Sequence, residues 1–174
     1  LINGPTKAIG KVGQALNFDG SDDYVDAGSG TSWNFSNTTF TASAWAKTAS
    51  NGAIAGNDGY DNGWYVQPNT VTLKGASGEV MNFNLTTGFT DNGWHHFVYV
   101  ITTDTTTNAN NVASIYVDGI SRSGSRTAGV GGYTAPSTPI KRIGARSPTS
   151  PGYFNGLIDE VRVYNRALSA EEVR

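Results

Sequence analysis

The chain has 174 residues, a formal net charge of −2 and no cysteine. No lysine or arginine cluster occurs, so nothing supports a nucleic-acid or anionic-membrane partner, and without thiols neither a disulfide framework nor a thiolate metal site can form. The length fits one domain with a substantial core, and 22 Gly, 20 Thr and 16 Asn against few runs of Ala, Leu, Glu and Lys predict an all-β fold.

Leu1 opens the chain without Met or a signal peptide, which reads as an excised or processed piece of a larger protein. No apolar run approaches a membrane span, so no membrane insertion is expected. Short alternating segments between turn signals predict strands at Ala15–Phe18, Tyr24–Ala27, Phe40–Thr48, Ala53–Gly56, Gly63–Gln67, Thr70–Lys74 and Val80–Asn84. His95–Thr102, Ala113–Val117, Ile120–Arg122, Lys141–Ile143 and Ile158–Tyr164 complete the set. Asp118-Gly119 suits a tight primed turn, and Gly75-Ala-Ser-Gly78 reverses the chain between Leu73 and Val80. Thr102–Asn111 is a polar Thr/Asn stretch, read as a long loop. Ser169-Ala-Glu-Glu172 has capping-box spacing and predicts a single helical turn.

Several ordered motifs carry a resemblance. Phe18-Asp19-Gly20 with Asp22-Asp23-Tyr24-Val25 comes first, then Phe40-Thr-Ala-Ser-Ala-Trp45 and Trp94-His95-His96. Ile115-Tyr-Val-Asp-Gly119 and Gly156-Leu-Ile-Asp-Glu-Val161 follow. In order and rough spacing these resemble the laminin G-like family with the concanavalin A-like jelly roll, over about Gly13 to Val173. The resemblance implies a sandwich of two antiparallel sheets, usually one piece of a larger secreted protein joined to neighbouring domains. Family members serve as sugar-binding modules, adhesin domains or plain spacers.

Metal chemistry is narrowed by composition. The histidines are the adjacent pair His95-His96, whose side chains point to opposite strand faces, so a tetrahedral zinc site is not expected. Oxygen ligands remain, and Asp19, Gly20, Asp22, Asp23 and Asp159 form a supply suited to Ca²⁺. Asp159 shares parity with Leu157, Val161 and Val163, so the strand pattern turns its carboxylate toward the core side. The same residues also fit Asx turns at Asp19 and Asp22 and backbone N–H bonds to Asp159. The resemblance favours calcium, as a structural ion tying the N-terminal turn to the last strand.

Catalysis is not expected. A retaining glycosidase needs two carboxyl groups about 5 Å apart, and the Glu-x-Asp-x-x-Glu strand of glycosidase relatives has no match here. Of the four glutamates, Glu171 and Glu172 lie in the terminal turn, Glu79 starts a hairpin, and Glu160 suits a pairing with Arg162. No Gly-x-Ser-x-Gly elbow exists. His95 and His96 open a central strand, where at least one imidazole is expected to be buried and hydrogen-bonded. Trp45 belongs to the face opposite Phe40, Ala42, Ala44 and Ala46, either covered or part of a concave floor.

Sugar recognition needs aromatic faces near planar polar groups. Two loops offer them: Asp58, Tyr60, Asp61, Asn62 and Trp64 on residues 57–65, and Arg146 and Tyr153 on a proline-stiffened loop. Arg126 and Tyr133 are weaker candidates. The expectation is a monomeric, non-catalytic glycan-binding module, extracellular or cell-surface. The alternative is a structural or protein-interaction spacer of an adhesin.

Overall fold

Where apolar and small polar residues alternate, the chain extends, because successive side chains of a strand point to opposite faces. The computed structural model describes residues 1–58, 62–76, 78–138, 140–146 and 151–174. One sheet holds β1 (Thr6–Ile9), β2 (Gln14–Asp19), β4 (Thr39–Thr48), β9 (Trp94–Thr102), β10 (Val112–Val117), β11 (Ile120–Arg122) and β14 (Asn155–Tyr164). The other holds β3 (Val25–Asp26), β5 (Ala55–Asp58), β6 (Gly63–Gln67), β7 (Thr70–Gly75), β8 (Gly78–Leu85), β12 (Gly124–Ala128) and β13 (Lys141–Ile143). Their orders are β1-β2-β14-β4-β9-β10-β11 and β12-β8-β7-β6-β5-β13-β3, with antiparallel neighbours. This is the predicted all-β sandwich.

Its core lies between the inner faces. The first sheet supplies Phe40, Ala42, Ala44 and Ala46 from β4 and Phe97, Tyr99 and Ile101 from β9, and the second supplies Trp64, Val66, Val71, Leu73 and Met81. The small alanines leave room for aromatics: Phe35 stacks on Phe40 at 4.3 Å, and Phe40 meets Trp64 at 4.9 Å. Each buried ring of this kind contributes about 1.5–3 kcal/mol. Buried donors here find backbone carbonyls, since an unpaired donor in such a core is costly. Trp64 Nε1 and Asn57 Nδ2 both donate to the Trp33 carbonyl, fixing the 3-10 turn Thr31–Trp33 over the core.

β14 departs from simple alternation. Ile158 pairs with Ala46 and Asp159 with Trp45, but Arg162 pairs with Ser43, so Glu160 and Val161 form a bulge. Glu160 adopts a φ of +49° there. One extra residue inverts the parity: Ile158 packs inward before the bulge, and Val161 and Val163 pack inward after it. Asp159 therefore faces outward with Trp45, which corrects the expectation that it shares the apolar side. Trp45 itself is on the outer face, as its parity indicated.

Two strands were not foreseen. β1 is short and mostly exposed, and β12, Gly-Ser-Arg-Thr-Ala, carries no apolar alternation. The Thr/Asn loop is organised around Asp104, whose Oδ1 accepts from the backbone of Thr106 and Thr107 and whose Oδ2 accepts from Asn110. Those donors, led by the Thr106 hydroxyl, hold its carboxyl well below the usual range. The C-terminal capping box forms as predicted: Ser169 N–H donates to Glu172, and Glu172 N–H to Ser169 Oγ. Val173 N–H closes one helical turn on Ser169. Arg166, bonded to both Glu172 oxygens, leads the causes that lower that carboxyl to about 2.

Gly156 permits the central strand to form. Its φ is +134°, and a Cβ there would lie 2.2 Å from the Lys47 carbonyl oxygen of β4. Gly156→Ala is expected to destabilise the fold by at least about 2 kcal/mol, through forbidden backbone geometry and a backbone clash. Urea unfolding of the two proteins measures it, and an unchanged midpoint would contradict this packing.

Candidate functional site

The outer face of the second sheet is polar because its inward partners took the apolar residues. Val71, Leu73 and Met81 point to the core, so Thr70, Thr72, Asn82 and Asn84 point away from it. Thr70 Oγ1 donates to Asn84 Oδ1 at 3.1 Å and Thr72 Oγ1 to Asn82 Oδ1 at 2.6 Å. Ser125 and Thr127 of β12, opposite Asn84 and Asn82, extend these rows to the sheet edge. The result is a ladder of hydroxyls and planar amides.

Beside the ladder lies a cationic and aromatic cluster. Tyr65 sits outward on β6 across from Gly56, whose missing side chain makes room for it: a Cβ there would come within 2.8 Å of Tyr65 Cβ. Arg146 donates to the Tyr65 hydroxyl at 2.7 Å and places its guanidinium 4.9 Å from the ring centre. Lys74 approaches the same ring at 5.8 Å, and Arg142, on the same face, covers Tyr24 at 4.2 Å. Tyr65 is 3 % exposed, so it acts as a support for Arg146 and not as a stacking platform.

The described residues that open the two loops expected to form one site stand at different ends of this face. β13 runs antiparallel to β5 with Lys141 opposite Asn57 and Ile143 opposite Ala55. The chain leaving Ile143 therefore emerges at the Ala55 end, roughly 10 Å from Asp58 at the other end of β5. Arg146 reaches back over the sheet from the first of these loops, which Arg146 N–H and the Pro151 carbonyl close at 2.7 Å. Tyr153, half-buried, stays at that rim, and Asn62, half-buried, at the other. Asp58 ends β5 opposite Gly63, while Tyr60 and Asp61 lie outside the described residues.

Trp64 is a correction. It is fully buried, with its indole N–H on the Trp33 carbonyl, so it cannot touch a ligand. Its parity with Val66, inside the same short strand, was the available signal. Tyr133 is likewise core, and Arg126 is pinned on the carbonyls of Asn108 and Asn111. Tyr65 and the Thr–Asn ladder are the residues that the loop-centred reading missed.

Asp19, Asp22 and Asp23 gather at the end of β2, with one carboxylate oxygen from each within 4.8 Å of the others. Asp19 Oδ1 accepts from Ser21 N–H, and Asp23, 6 % exposed, accepts from Asp19 N–H. Gly20, at φ +82°, packs on Asn155, and Asn155 Nδ2 donates to the Asp19 carbonyl. Asp159 does not join them. Asn155 lies opposite Asp19, which puts Asp159 four residues, roughly 13 Å, further along β14. Its Oδ2 accepts instead from Val12 N–H at 2.8 Å, under the turn between β1 and β2, where a Cβ at Gly10 would meet that oxygen at 2.5 Å.

Comparison with known proteins places this geometry. The Laminin_G_3 family model, described as the concanavalin A-like lectin/glucanases superfamily, matches residues 19–174. The chain belongs to this superfamily. Among solved structures, domain 4 of AbnA, a GH43 extracellular arabinanase from Geobacillus stearothermophilus in complex with arabinotriose, is 18 % identical over 98 % of this chain and 80 % of that one, with a TM-score of 0.63. The heptameric SAP-like pentraxin of Limulus polyphemus is 15 % identical over 91 % and 79 %, with a TM-score of 0.56. Domains LG4-5 of the mouse laminin alpha1 chain are 15 % identical over 95 % of this chain and 44 % of that one, with a TM-score of 0.54. No curated protein sequence matches the chain.

In this concanavalin A-like domain the Trp94-His95-His96 run has a structural part. His95 Nδ1 lies 2.7 Å from Asp118 Oδ2 and its Nε2 3.1 Å from Asp91 Oδ1, clamping the 86–93 segment to the β10–β11 turn. Burial opposes its charge, but the hydrogen bonds to Asp118 and then Asp91 outweigh that, and its pKa is raised above the ordinary 6.5. A histidine raised on folding stabilises fully below its unfolded pKa, and that contribution fades as pH rises through the folded value. The melting temperature of the wild type relative to His95→Gln is therefore expected to be highest near pH 6 or below and to shrink through the window above 6.5. A difference constant with pH would show that the clamp holds without the proton.

Proposed function

We propose that this domain binds a glycan without altering it, on the outer face of its second sheet. The observation that carries this reading is the Thr–Asn ladder beside Arg146 on Tyr65. Amide and hydroxyl groups in rows match the alternating donors and acceptors of sugar hydroxyls, and the guanidinium offers several more donors in one plane. Asn62 at one rim and Tyr153 at the other would contact the ends of an oligosaccharide. With few exposed aromatic faces, a single site should bind at roughly micromolar to millimolar strength. A domain of the same fold holding arabinotriose makes a neutral oligosaccharide the first class to test. The parent protein is read as extracellular, with neighbouring domains, where such a module raises local substrate or surface concentration.

A calcium ion belongs to the same proposal. Three carboxylates within 4.8 Å, one of them nearly buried, suit a hard cation that takes only oxygen ligands. Asp19, Asp22 and Asp23, with the Gly20 carbonyl, would hold it, and the ion would relieve their mutual repulsion where β2 meets β14. Its contribution is to stability, away from the glycan face.

Both parts are testable. On a glycan array, the domain is expected to retain a defined class of oligosaccharides, and Arg146→Ala to weaken retention about tenfold or more with a melting shift of no more than about 4 °C. A blank array would overturn the glycan reading in favour of a spacer or protein-binding domain. For calcium, chelator is expected to lower the melting temperature of the wild type and of Asp159→Ala but not that of Asp23→Ala. Indifference of the wild type to chelator and to added Ca²⁺ would remove the ion.

A further inference from the structure

The opposite side of the molecule carries a second cleft. On the outer face of the first sheet, Ser43 and Trp45 of β4 lie across from Val98 and His96 of β9. The C-terminal segment crosses this face: Thr41 Oγ1 donates to the Arg166 carbonyl and accepts from Leu168 N–H, and Val173 is 2 % exposed. The β14 bulge forms the other wall, carrying Glu160 and Arg162. Between the walls is a hollow of about 250 Å³.

Its polar groups fall into two classes. The ions are matched internally, Glu160 with Arg162 at 2.5 Å and Glu172 with Arg166 at 2.8 Å. Two neutral groups are not: among the described residues, none hydrogen-bonds the Ser43 hydroxyl or the His96 ring. Ser43 is 6 % exposed as a whole residue, and its hydroxyl opens into the hollow. His96 is half-buried and stacks on Trp45 at 5.1 Å. Burial chiefly, against Asp118 and with Arg162, lowers its pKa and keeps the imidazole neutral near pH 7. Tyr164, hydrogen-bonded to Arg162, and the apolar Val98, Leu168 and Val173 complete the lining.

The geometry points to a second binding site, in this cleft, for one neutral sugar residue. The carboxylates and guanidiniums of the walls are paired with one another, so an ionic ligand gains little from them. A hydroxyl and a neutral imidazole call for groups that both donate and accept, and the apolar wall suits the C–H side of a pyranose or furanose. A hollow of about 250 Å³ has room for about a single ring. Ser43 and His96 are not hydrogen-bonded to each other, so the pair binds and does not supply a nucleophile.

The test is a titration of isotope-labelled protein with glucose, galactose, mannose, xylose and arabinose, each to millimolar concentrations, read by NMR. Saturable shifts at Ser43, Trp45 and His96 are expected with at least one sugar. Ser43→Ala should weaken that response about fivefold, and Ser43→Val, which also fills the hollow, should abolish it. No saturable shift at these residues with any of the five sugars overturns the site, as does a response there that survives both variants. Shifts confined to Thr70–Lys74 and Asn82–Asn84 overturn it while leaving the second-sheet reading intact. A cleft response with the second-sheet face silent supports this site and counts against the other reading.

Discussion

The bulge in β14 is the constraint on which both faces depend. β14 is the joint of the first sheet, pairing with β2 through Asn155–Ile158 and with β4 as far as Tyr164. Without the extra residue, inward Ile158 would place Glu160, Arg162 and Tyr164 in the core and Val161 and Val163 in water. Burying a carboxylate and a guanidinium there would cost several kcal/mol each even when paired. Glu160 in the left-handed region costs about 1 kcal/mol or more, which the correct burial of two valines offsets. The same local kink sets Glu160 and Arg162 on the rim of the first-sheet cleft.

The two outer faces differ because, among the described residues, the chain crosses only that of the first sheet. The C-terminal turn and the β1–β2 turn lie on the first sheet, where Lys11 reaches the Trp45 ring at 4.9 Å, and they convert a flat face into a cleft. On the second sheet the described residues that occupy the middle are short: Thr70, Thr72, Asn82, Asn84 and the Arg146 side chain. A flat polar face favours an extended chain of sugars, whereas an enclosed hollow favours one ring.

Much of the fold was legible because its signals are local. Asp118-Gly119 has φ values of +55° and +75°, the geometry that dipeptide is chosen for, and Ser169 with Glu172 closes the capping box that its spacing announced. β12 was illegible because its residues, exposed and edge-facing, have no apolar alternation to betray them; pairing with β8 alone makes it a strand. The site was read less well for the same reason. Trp64 sits in a polar, glycine-rich stretch that looks like a loop, yet the tertiary demand for an aromatic against Phe40 decides its side. Asp159 was misread because the bulge is marked by glutamate instead of glycine, and parity counted across an unmarked bulge comes out inverted. The acidic trio, by contrast, was visible as a cluster in sequence and is one in space.

The two faces lie back to back across a core about 10 Å thick, so no single sugar residue spans them. A linear oligosaccharide lying on the second sheet cannot turn its next residue into the first-sheet cleft without passing an edge of the sandwich, around β1 and β3 or around β11 and β12. Simultaneous occupancy therefore requires two chains or two branches of one. In a polysaccharide matrix that proposed arrangement would give cross-linking between chains, the second contact forming at the effective concentration set by the matrix. On the proposed reading, two weak sites on opposite faces of a rigid sandwich would achieve retention that either alone would not, with each sugar still free to exchange.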